Sequence, residues 1–195
     1  KSATQQTPRF SQEGTKGEFL SVELELKVLA DVGLVGLPNA GKSTLLSVMT
    51  TAKPKIADYP FTTLQPHLGI VKYGEYQSFV MADIPGLIEG ASEGKGLGHQ
   101  FLKHIERNKI LLFMIDIEEQ NPIDVYNQLM DELVGFNKDL LDKDRLIVRT
   151  KIDIASENVD ERWSSFPEEF IDISSVSNQG LNTLKDKLVS FLSAS

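Results

Sequence analysis

The chain has 195 residues, enough for one α/β domain with a short additional segment, and carries a formal net charge of −8. Because binding to a phosphate backbone needs a basic face, this charge argues against a fragment that binds nucleic acid strongly by itself. The absence of cysteine excludes disulfides, thiolate catalysis and Cys-ligated metal. No window reaches about 18 uninterrupted apolar residues, so we expect no membrane span.

The N-terminal part of the chain predicts a linker rather than a domain. Residues 1–29 are expected to be a linker and the stub of a preceding domain, because 1–21 are polar and without a period, and residues 30–195 to be the main domain. Within the stub, the alternating stretch VELELKV at 22–28 predicts a half-buried strand. The start, KSATQQTPRF, has neither Met nor an apolar signal core, so we expect a fragment of a longer chain.

Strands and helices alternate through the rest of the chain. Residues 30–36 predict a strand followed by a helix at 42–49, and 68–73 with 77–83 predict a hairpin around a Gly-containing turn. A strand buried on both faces is predicted at 109–116, further strands at 145–150 and 169–174, and a last helix with Leu181, Leu184, Leu188 and Phe191 on one face. Asn121 and Pro122 begin a helix as N-cap and first helical residue, with Ile123, Tyr126, Met130 and Leu133 at helical spacing behind them.

These elements predict an α/β fold: a mostly parallel six-stranded sheet, flanked by helices, with one antiparallel hairpin strand. Such sheets bind ligands in the loops at the carboxyl ends of their strands. Every motif below falls at such an end.

The stretch GLPNAGKS at 36–43 matches G-x-x-x-x-G-K-S between a predicted strand and a predicted helix, the pattern of a P-loop NTPase fold. Its glycines let successive backbone N–H groups point at phosphate oxygens, and the helix N-terminus adds positive potential. Lys42 is expected to reach the β- and γ-phosphates and Ser43 to ligate Mg²⁺. The predicted nucleotide contacts in this loop are Gly36, Leu37, Pro38, Asn39, Ala40, Gly41, Lys42 and Ser43.

The stretch TKID at 150–153 indicates guanine. The carboxylate of Asp153 can accept two hydrogen bonds from the N1–H and N2–H₂ edge of guanine, which adenine lacks, and a buried unpaired carboxylate is costly. The stem of Lys151 can lie along the base. A second loop, Ser174, Ser175 and Val176, is placed for a backbone N–H to reach the guanine carbonyl. The predicted base contacts are Thr150, Lys151, Ile152, Asp153, Ser174, Ser175 and Val176.

Two further segments have the spacing of phosphate sensors. In the loop before the hairpin, Thr63 is favoured over Thr62 to cap Mg²⁺ and sense the γ-phosphate, and Asp83 would hold a water on Mg²⁺. The backbone N–H of Gly86 would contact the γ-phosphate, and five glycines between 86 and 98 fit a loop ordered by that contact. The nucleotide contacts predicted here are Phe61, Thr62, Thr63, Leu64, Gln65, Asp83, Ile84, Pro85 and Gly86.

These motifs together resemble the Obg family of GTPases. The similarity is carried by GLPNAGKST, by YPFTT at 59–63 and by DIPGLIEGASEGKGLGHQFLKHIER at 83–107, and TPRF at 7–10 resembles the tail of that family's glycine-rich N-terminal domain. The resemblance implies a slow GTPase that uses Mg²⁺, binds GDP and GTP with modest affinity, and associates with the large ribosomal subunit in the cytoplasm, with a link to growth control through guanosine tetraphosphate. We expect this fragment to be monomeric. Two positions depart from the family pattern: Thr150 replaces Asn, which predicts weaker base binding, and Ser175 replaces Ala.

Leu87 follows Gly86 where many GTPases place a water-orienting Gln, and leucine cannot hydrogen-bond water. The catalytic residues left are Lys42, Thr63 and Gly86, which predicts slow turnover. Asn39 resembles the asparagine of GTPases that hold K⁺ near the phosphates; the alternative is that it tightens the loop. Two other functions stay open: an ATP-using P-loop kinase, against which Asp153 argues, and a sensing module that binds GDP or guanosine tetraphosphate with little catalysis.

Overall fold

The structure is a computed structural model that describes residues 14–22, 30–52, 54–56, 67–83, 108–157 and 159–194. The strands are β1 Val32–Val35, β2 Lys55–Ile56, β3 His67–Tyr73, β4 Gln77–Asp83, β5 Ile110–Asp116, β6 Asp144–Thr150 and β7 Phe170–Asp172. The helices are α1 Lys42–Met49, α2 Pro122–Phe136, α3 Val159–Trp163 and α4 Leu181–Ala194, and 3₁₀ turns lie at Lys138–Asp142 and Ile152–Ile154.

The strands form one sheet in the order β2-β3-β4-β1-β5-β6-β7. β1 pairs in parallel with β4 and β5, and the parallel pairing continues through β6 to β7. β3 runs antiparallel to β4 and to β2. The carboxyl ends of β1, β4, β5, β6 and β7 therefore meet along one edge of the sheet, where their loops can share a ligand.

Two core clusters cover the two faces of the sheet. On one face β5 and β6 pack against α2 and α3, with Phe113, Tyr126 and Trp163 among the buried side chains. On the other face β1 and β5 pack against α1 and α4, with Leu45 and Leu184 fully buried. The continuous apolar sequence of β5 is explained by this arrangement, because a central parallel strand is buried on both sides.

Helix α1 lies unusually close to strand β3. A Cβ at Gly69 would overlap the Cγ2 of Thr50 and would lie 3.0 Å from Leu46 Cδ1. The absence of a side chain at position 69 lets the helix that follows the 36–43 loop seat directly on the hairpin.

The predicted α/β fold is confirmed, and the hairpin, helix α1 and the N-cap position at Asn121 lie where the pattern placed them. The sheet has one strand beyond the expected six, the two-residue β2. The Asn121 side chain makes no capping hydrogen bond to any described residue, so Pro122 and the main chain begin α2. The predicted strand at 22–28 lies outside the described residues except for Val22, and residues 14–22 contain no helix or strand.

Candidate nucleotide-binding site

The loop from Gly36 to Ser43 connects β1 to α1 at the carboxyl edge of the sheet. Lys42 Nζ donates hydrogen bonds to the carbonyl oxygens of Gly36 at 2.7 Å and Leu37 at 3.0 Å, so the ammonium lies over the loop. Asn39 has a positive φ of 67° and Gly41 one of 95°. These turns wrap the backbone around the position of Lys42 and leave Pro38 and Asn39 exposed. The loop has the shape of an anion cradle with a lysine at its centre.

Gly36 is buried against the end of β5. A Cβ at this position would lie 2.6 Å from the carbonyl oxygen of Met114 and 3.2 Å from Ala40 Cβ. Because the first of these neighbours is backbone, it cannot swing aside. Only glycine lets the loop start this close to the strand.

Ser43 and Asp83 come together although they are 40 positions apart. The Ser43 hydroxyl donates a hydrogen bond to Asp83 Oδ2. Asp83 is 3% exposed, and its other oxygen, Oδ1, accepts no hydrogen bond from any residue that the structure describes. A hydroxyl beside a carboxylate with an unpaired buried oxygen is an oxygen-donor pair suited to Mg²⁺, a hard cation that keeps several waters. These two residues therefore fit the predicted metal site.

Thr150 links the base-recognition stretch to the phosphate loop. It is 3% exposed, and its hydroxyl lies 3.0 Å from the carbonyl oxygen of Ala40 and 3.2 Å from that of Ile115. The hydroxyl is therefore directed at protein backbone. Its contribution is to hold the loops together rather than to bind the base directly.

Lys151 has a partner that the sequence analysis missed. Its Nζ lies 2.6 Å from Asp116 Oδ2 in an ion pair, and its φ of 61° places it in the left-handed region. Asp116 ends β5 beside the end of β6, in register with Thr150. The signal in the sequence was the position of Asp116 at the end of a buried strand, the same position that marks Asp83.

Asp153 lies in the 3₁₀ turn Ile152–Ile154 and is exposed. The turn is tied to the residue that follows β7, because the Ile152 N–H donates to the carbonyl oxygen of Ile173 at 3.3 Å. The carboxylate is therefore presented at the carboxyl edge on a fixed backbone.

The loop after β7 is closed by its own hydrogen bonds. Ser174 is fully buried; its N–H donates to Gln179 O at 3.0 Å and its hydroxyl accepts from the Ser177 N–H at 3.0 Å. Ser175 is half-buried and Val176 is exposed. Ser174 thus has a structural role, and Ser175 and Val176 remain the residues of this loop that can face a ligand.

In the acidic segment 116–120, Asp116 and Glu118 both have polar partners. Glu118 accepts hydrogen bonds from the Ser156 N–H at 2.6 Å and from Arg162 Nη2 at 3.2 Å. The backbone hydrogen bond from Ser156, with support from Arg162, lowers the pKa of the Glu118 carboxyl below its usual value. This network fixes the segment that follows Asp153.

Part of the predicted site falls outside the described residues. This part consists of Phe61, Thr62, Thr63, Leu64, Gln65, Ile84, Pro85, Gly86 and Leu87. The described parts of the site end or follow strands whose carboxyl ends share one edge of the sheet, as the sequence predicted. These parts are residues 36–43, 83, 150–153 and 174–176. Among the helices of the described ranges, none is long and apolar enough to cross a membrane.

Comparison with known proteins gives consistent results. Residues 31–151 match the family model described as 50S ribosome-binding GTPase. A protein of Pelodictyon phaeoclathratiforme named GTPase Obg is 60% identical over 185 residues, 95% of this chain and 55% of that protein. One of Flavobacterium psychrophilum with the same name is 58% identical over 200 residues, 98% of this chain and 59% of that protein. The chain thus spans just over half the length of these relatives.

Two solved structures show the same fold. The G domain of the T. maritima FeoB iron transporter has a TM-score of 0.61 and 25% identity, over 83% of this chain and 97% of that one. A point variant of Aquifex aeolicus Era bound to GDP and AlF4⁻ has a TM-score of 0.60 and 27% identity, over 85% of this chain and 57% of that one.

Proposed function

This chain belongs to the 50S ribosome-binding GTPase family, as an Obg-type GTPase domain, and from that premise we propose that it is a guanine-nucleotide switch. It binds GTP and GDP and slowly hydrolyses GTP with water to GDP and phosphate. The observation that carries the proposal is the hydrogen bond from the Thr150 hydroxyl to Ala40 O, because it joins the predicted base-binding stretch to the predicted phosphate loop.

The base is selected by the loops after β6 and β7. Asp153 accepts from the N1–H and N2–H₂ groups of guanine, and a backbone N–H in Ser175–Val176 reaches the guanine carbonyl. The Lys151 stem lies along the base, held in place by the ion pair with Asp116. Adenine would leave the Asp153 carboxylate without donors, which disfavours ATP.

The phosphates lie in the cradle between β1 and α1. The loop N–H groups and Lys42 bind the β- and γ-phosphates, where fixed positive charge stabilises the negative charge that develops during transfer. Ser43, Thr63 and Asp83 would hold Mg²⁺, Asp83 through a water. The ion would neutralise negative charge on the phosphates. Gly86 N–H senses the γ-phosphate.

Turnover is slow because Leu87 cannot orient the attacking water. A K⁺ ion held with the help of Asn39, whose positive φ exposes it at the mouth of the loop, would add positive charge at the phosphates. The longer protein acts at the large ribosomal subunit in the cytoplasm and responds to guanosine tetraphosphate; the family description supports the ribosomal part of this role.

Nucleotide competition with phosphate release tests the proposal. Labelled GDP bound to the chain with Mg²⁺ should be displaced by GTP and GDP, and ATP should need at least about a hundredfold higher concentration, the discrimination expected for a site built to pair polar groups. Asp153→Asn should weaken GDP and improve binding of xanthosine diphosphate, whose C2 carbonyl needs a donor.

The controls separate this function from its alternatives. Equal displacement by ATP would favour the kinase and overturn the proposal. GDP binding without phosphate release above background, in K⁺ buffer and with large ribosomal subunits added, would favour the sensing module. Sedimentation with those subunits under GTP and GDP tests the ribosomal role.

A further inference from the structure

The position of the loop after β7 depends on a short strand. β7 has three residues and is the last strand in the sheet order, paired with β6 at Phe170, Ile171 and Asp172. A three-residue ladder at the end of a sheet positions the next loop only weakly, since each hydrogen bond contributes only a small net stabilisation. Side-chain contacts must supply the rest of the positional control.

Arg149 supplies it from the neighbouring strand. Its guanidinium makes a bidentate pair with Asp172, Nε to Oδ1 at 2.6 Å and Nη2 to Oδ2 at 2.7 Å. The two residues are in register at the carboxyl ends of β6 and β7, and the Ile173 N–H donates to the Arg149 carbonyl oxygen at 2.9 Å. A bidentate pair fixes both distance and orientation, which a single hydrogen bond does not.

The guanidinium of Arg149 is shielded from water. Arg149 is 8% exposed, and its guanidinium carbon lies 4.8 Å from the Phe170 ring centroid and 5.5 Å from that of Trp163. Its Nη1 donates to Asp160 Oδ1 of α3 at 3.1 Å. Because the Asp172 side chain is 43% exposed, the constraint comes from the bidentate geometry and from the buried contacts of the guanidinium, not from burial of the whole pair.

The pair stands between the two base-recognition loops. Arg149 immediately precedes Thr150, and Asp172 precedes Ser174 by two residues. On the far side Gly180, with a φ of 70°, turns back so closely that a Cβ there would overlap the Asp172 carbonyl oxygen. Both ends of the 174–179 loop therefore lie next to Asp172.

We propose that Arg149 is a positioning residue for guanine recognition: by clamping Asp172 it sets the 174–176 loop at the distance from Asp153 that one guanine base spans. This inference rests on the proposed function, because it concerns the same site. The two loops then read separate parts of the base. Asp153 reads the N1–H and 2-amino edge, and the 174–176 loop reads the 6-carbonyl.

The test uses three diphosphates and the variant Arg149→Lys, which keeps the charge and loses the bidentate geometry. GDP carries both recognised parts of the base. Inosine diphosphate lacks the 2-amino group, and 6-thioguanosine diphosphate replaces the 6-carbonyl oxygen with sulfur, a weak acceptor. In Arg149→Lys we expect the affinity for GDP to fall about tenfold, the equivalent of one strong hydrogen bond. The preference of this variant for GDP over the 6-thio analogue should shrink by the same factor. The preference over inosine diphosphate should stay unchanged.

Controls distinguish positioning from general destabilisation. Asp160→Asn removes the other carboxylate that contacts the same guanidinium, and it should leave both preferences as in the wild type. Asp172→Asn should reproduce Arg149→Lys, and it carries the test if Arg149→Lys does not fold. Equal loss of both preferences, or loss of neither, would overturn the inference. A wild type without preference for GDP over ADP would instead overturn the proposed function.

Discussion

Replacing Thr150 with valine removes one buried hydroxyl and keeps the shape of the side chain. The hydroxyl has one hydrogen and lies 3.0 Å from Ala40 O and 3.2 Å from Ile115 O, so the change deletes one shared hydrogen bond between segments 110 positions apart. A net hydrogen bond contributes about 0.5–1.5 kcal/mol, and leaving buried carbonyls poorly paired adds to the loss. We therefore expect the free energy of unfolding to fall by about 1–2 kcal/mol.

Urea unfolding of the nucleotide-free chain measures this loss. With a slope of about 3 kcal/mol per M, the upper end of the range for a chain this size, the midpoint should fall by roughly 0.3–0.7 M. GDP should also bind about threefold to tenfold more weakly, because the phosphate loop is no longer tied to the base-binding stretch. Isothermal titration with GDP and Mg²⁺ measures that effect.

Two further variants identify the cause. Thr150→Ser keeps the hydroxyl and should retain most of the GDP affinity. Thr51→Val removes an exposed hydroxyl that donates to Ile70 O at 3.3 Å, and should change the midpoint by less than about 0.2 M because water replaces that bond. A wild-type midpoint for Thr150→Val, or a loss of GDP affinity in Thr150→Ser as large as in Thr150→Val, would contradict this role of the hydroxyl.

Three other changes have defined outcomes. In Gly36→Ala the new Cβ would lie 2.6 Å from Met114 O, so the variant should lose tight GDP binding and about 1–3 kcal/mol of unfolding free energy. Calorimetry measures both effects, and a normal GDP affinity would contradict the prediction. Asn39→Ala should remove the difference in phosphate release between K⁺ and Na⁺ buffers at matched ionic strength; an unchanged K⁺ response would exclude a role for its amide. Burial raises the pKa of the Glu132 carboxyl in the folded protein, so the ionised side chain destabilises the fold at pH 7. Glu132→Gln should therefore raise Tm at pH 7, and the gain should shrink as pH falls and Glu132 becomes protonated. A gain in Tm that does not depend on pH would refute this cause.

The sequence predicted those parts of the fold and site that depend on local pattern. Helix α1 begins at Lys42 because the phosphate-loop motif specifies a turn that leads directly into a helix. β5 was identified from its continuous apolar run. The two-residue β2 was missed because a strand that short has no period to detect.

β7 ends earlier than the predicted segment 169–174, and the reason is a turn rather than composition. Ser174 forms a bridge with Gln179 and so leaves the sheet, and Gly180 brings the chain back. The apolar pattern of 169–174 continues through Ile173, which the sequence cannot distinguish from a strand residue.

The contacts that join the site were beyond sequence analysis. The Thr150 hydroxyl was expected to replace an amide near the base, whereas it lies against the carbonyl of Ala40. The pairs of Lys151 with Asp116 and of Arg149 with Asp172 depend on strand register between distant segments. The charge inside the apolar run RLIVRT was the local sign that the buried Arg149 needed a charged partner.

The close packing of Gly69 on Thr50 fixes the order in which these two positions can change in evolution. The atoms that obstruct a side chain at position 69 are side-chain atoms, the Cγ2 of Thr50 first among them. Thr50→Ser removes that methyl and keeps the hydroxyl, which donates to Ala52 O at 3.0 Å, so this substitution can be nearly neutral by itself. Gly69→Ala is more harmful before it than after it, because the added Cβ would then meet only Leu46 Cδ1 at 3.0 Å and the Cβ of residue 50 at 3.1 Å. A lineage that carries alanine at 69 should therefore carry a smaller residue at 50, and should have acquired that residue first.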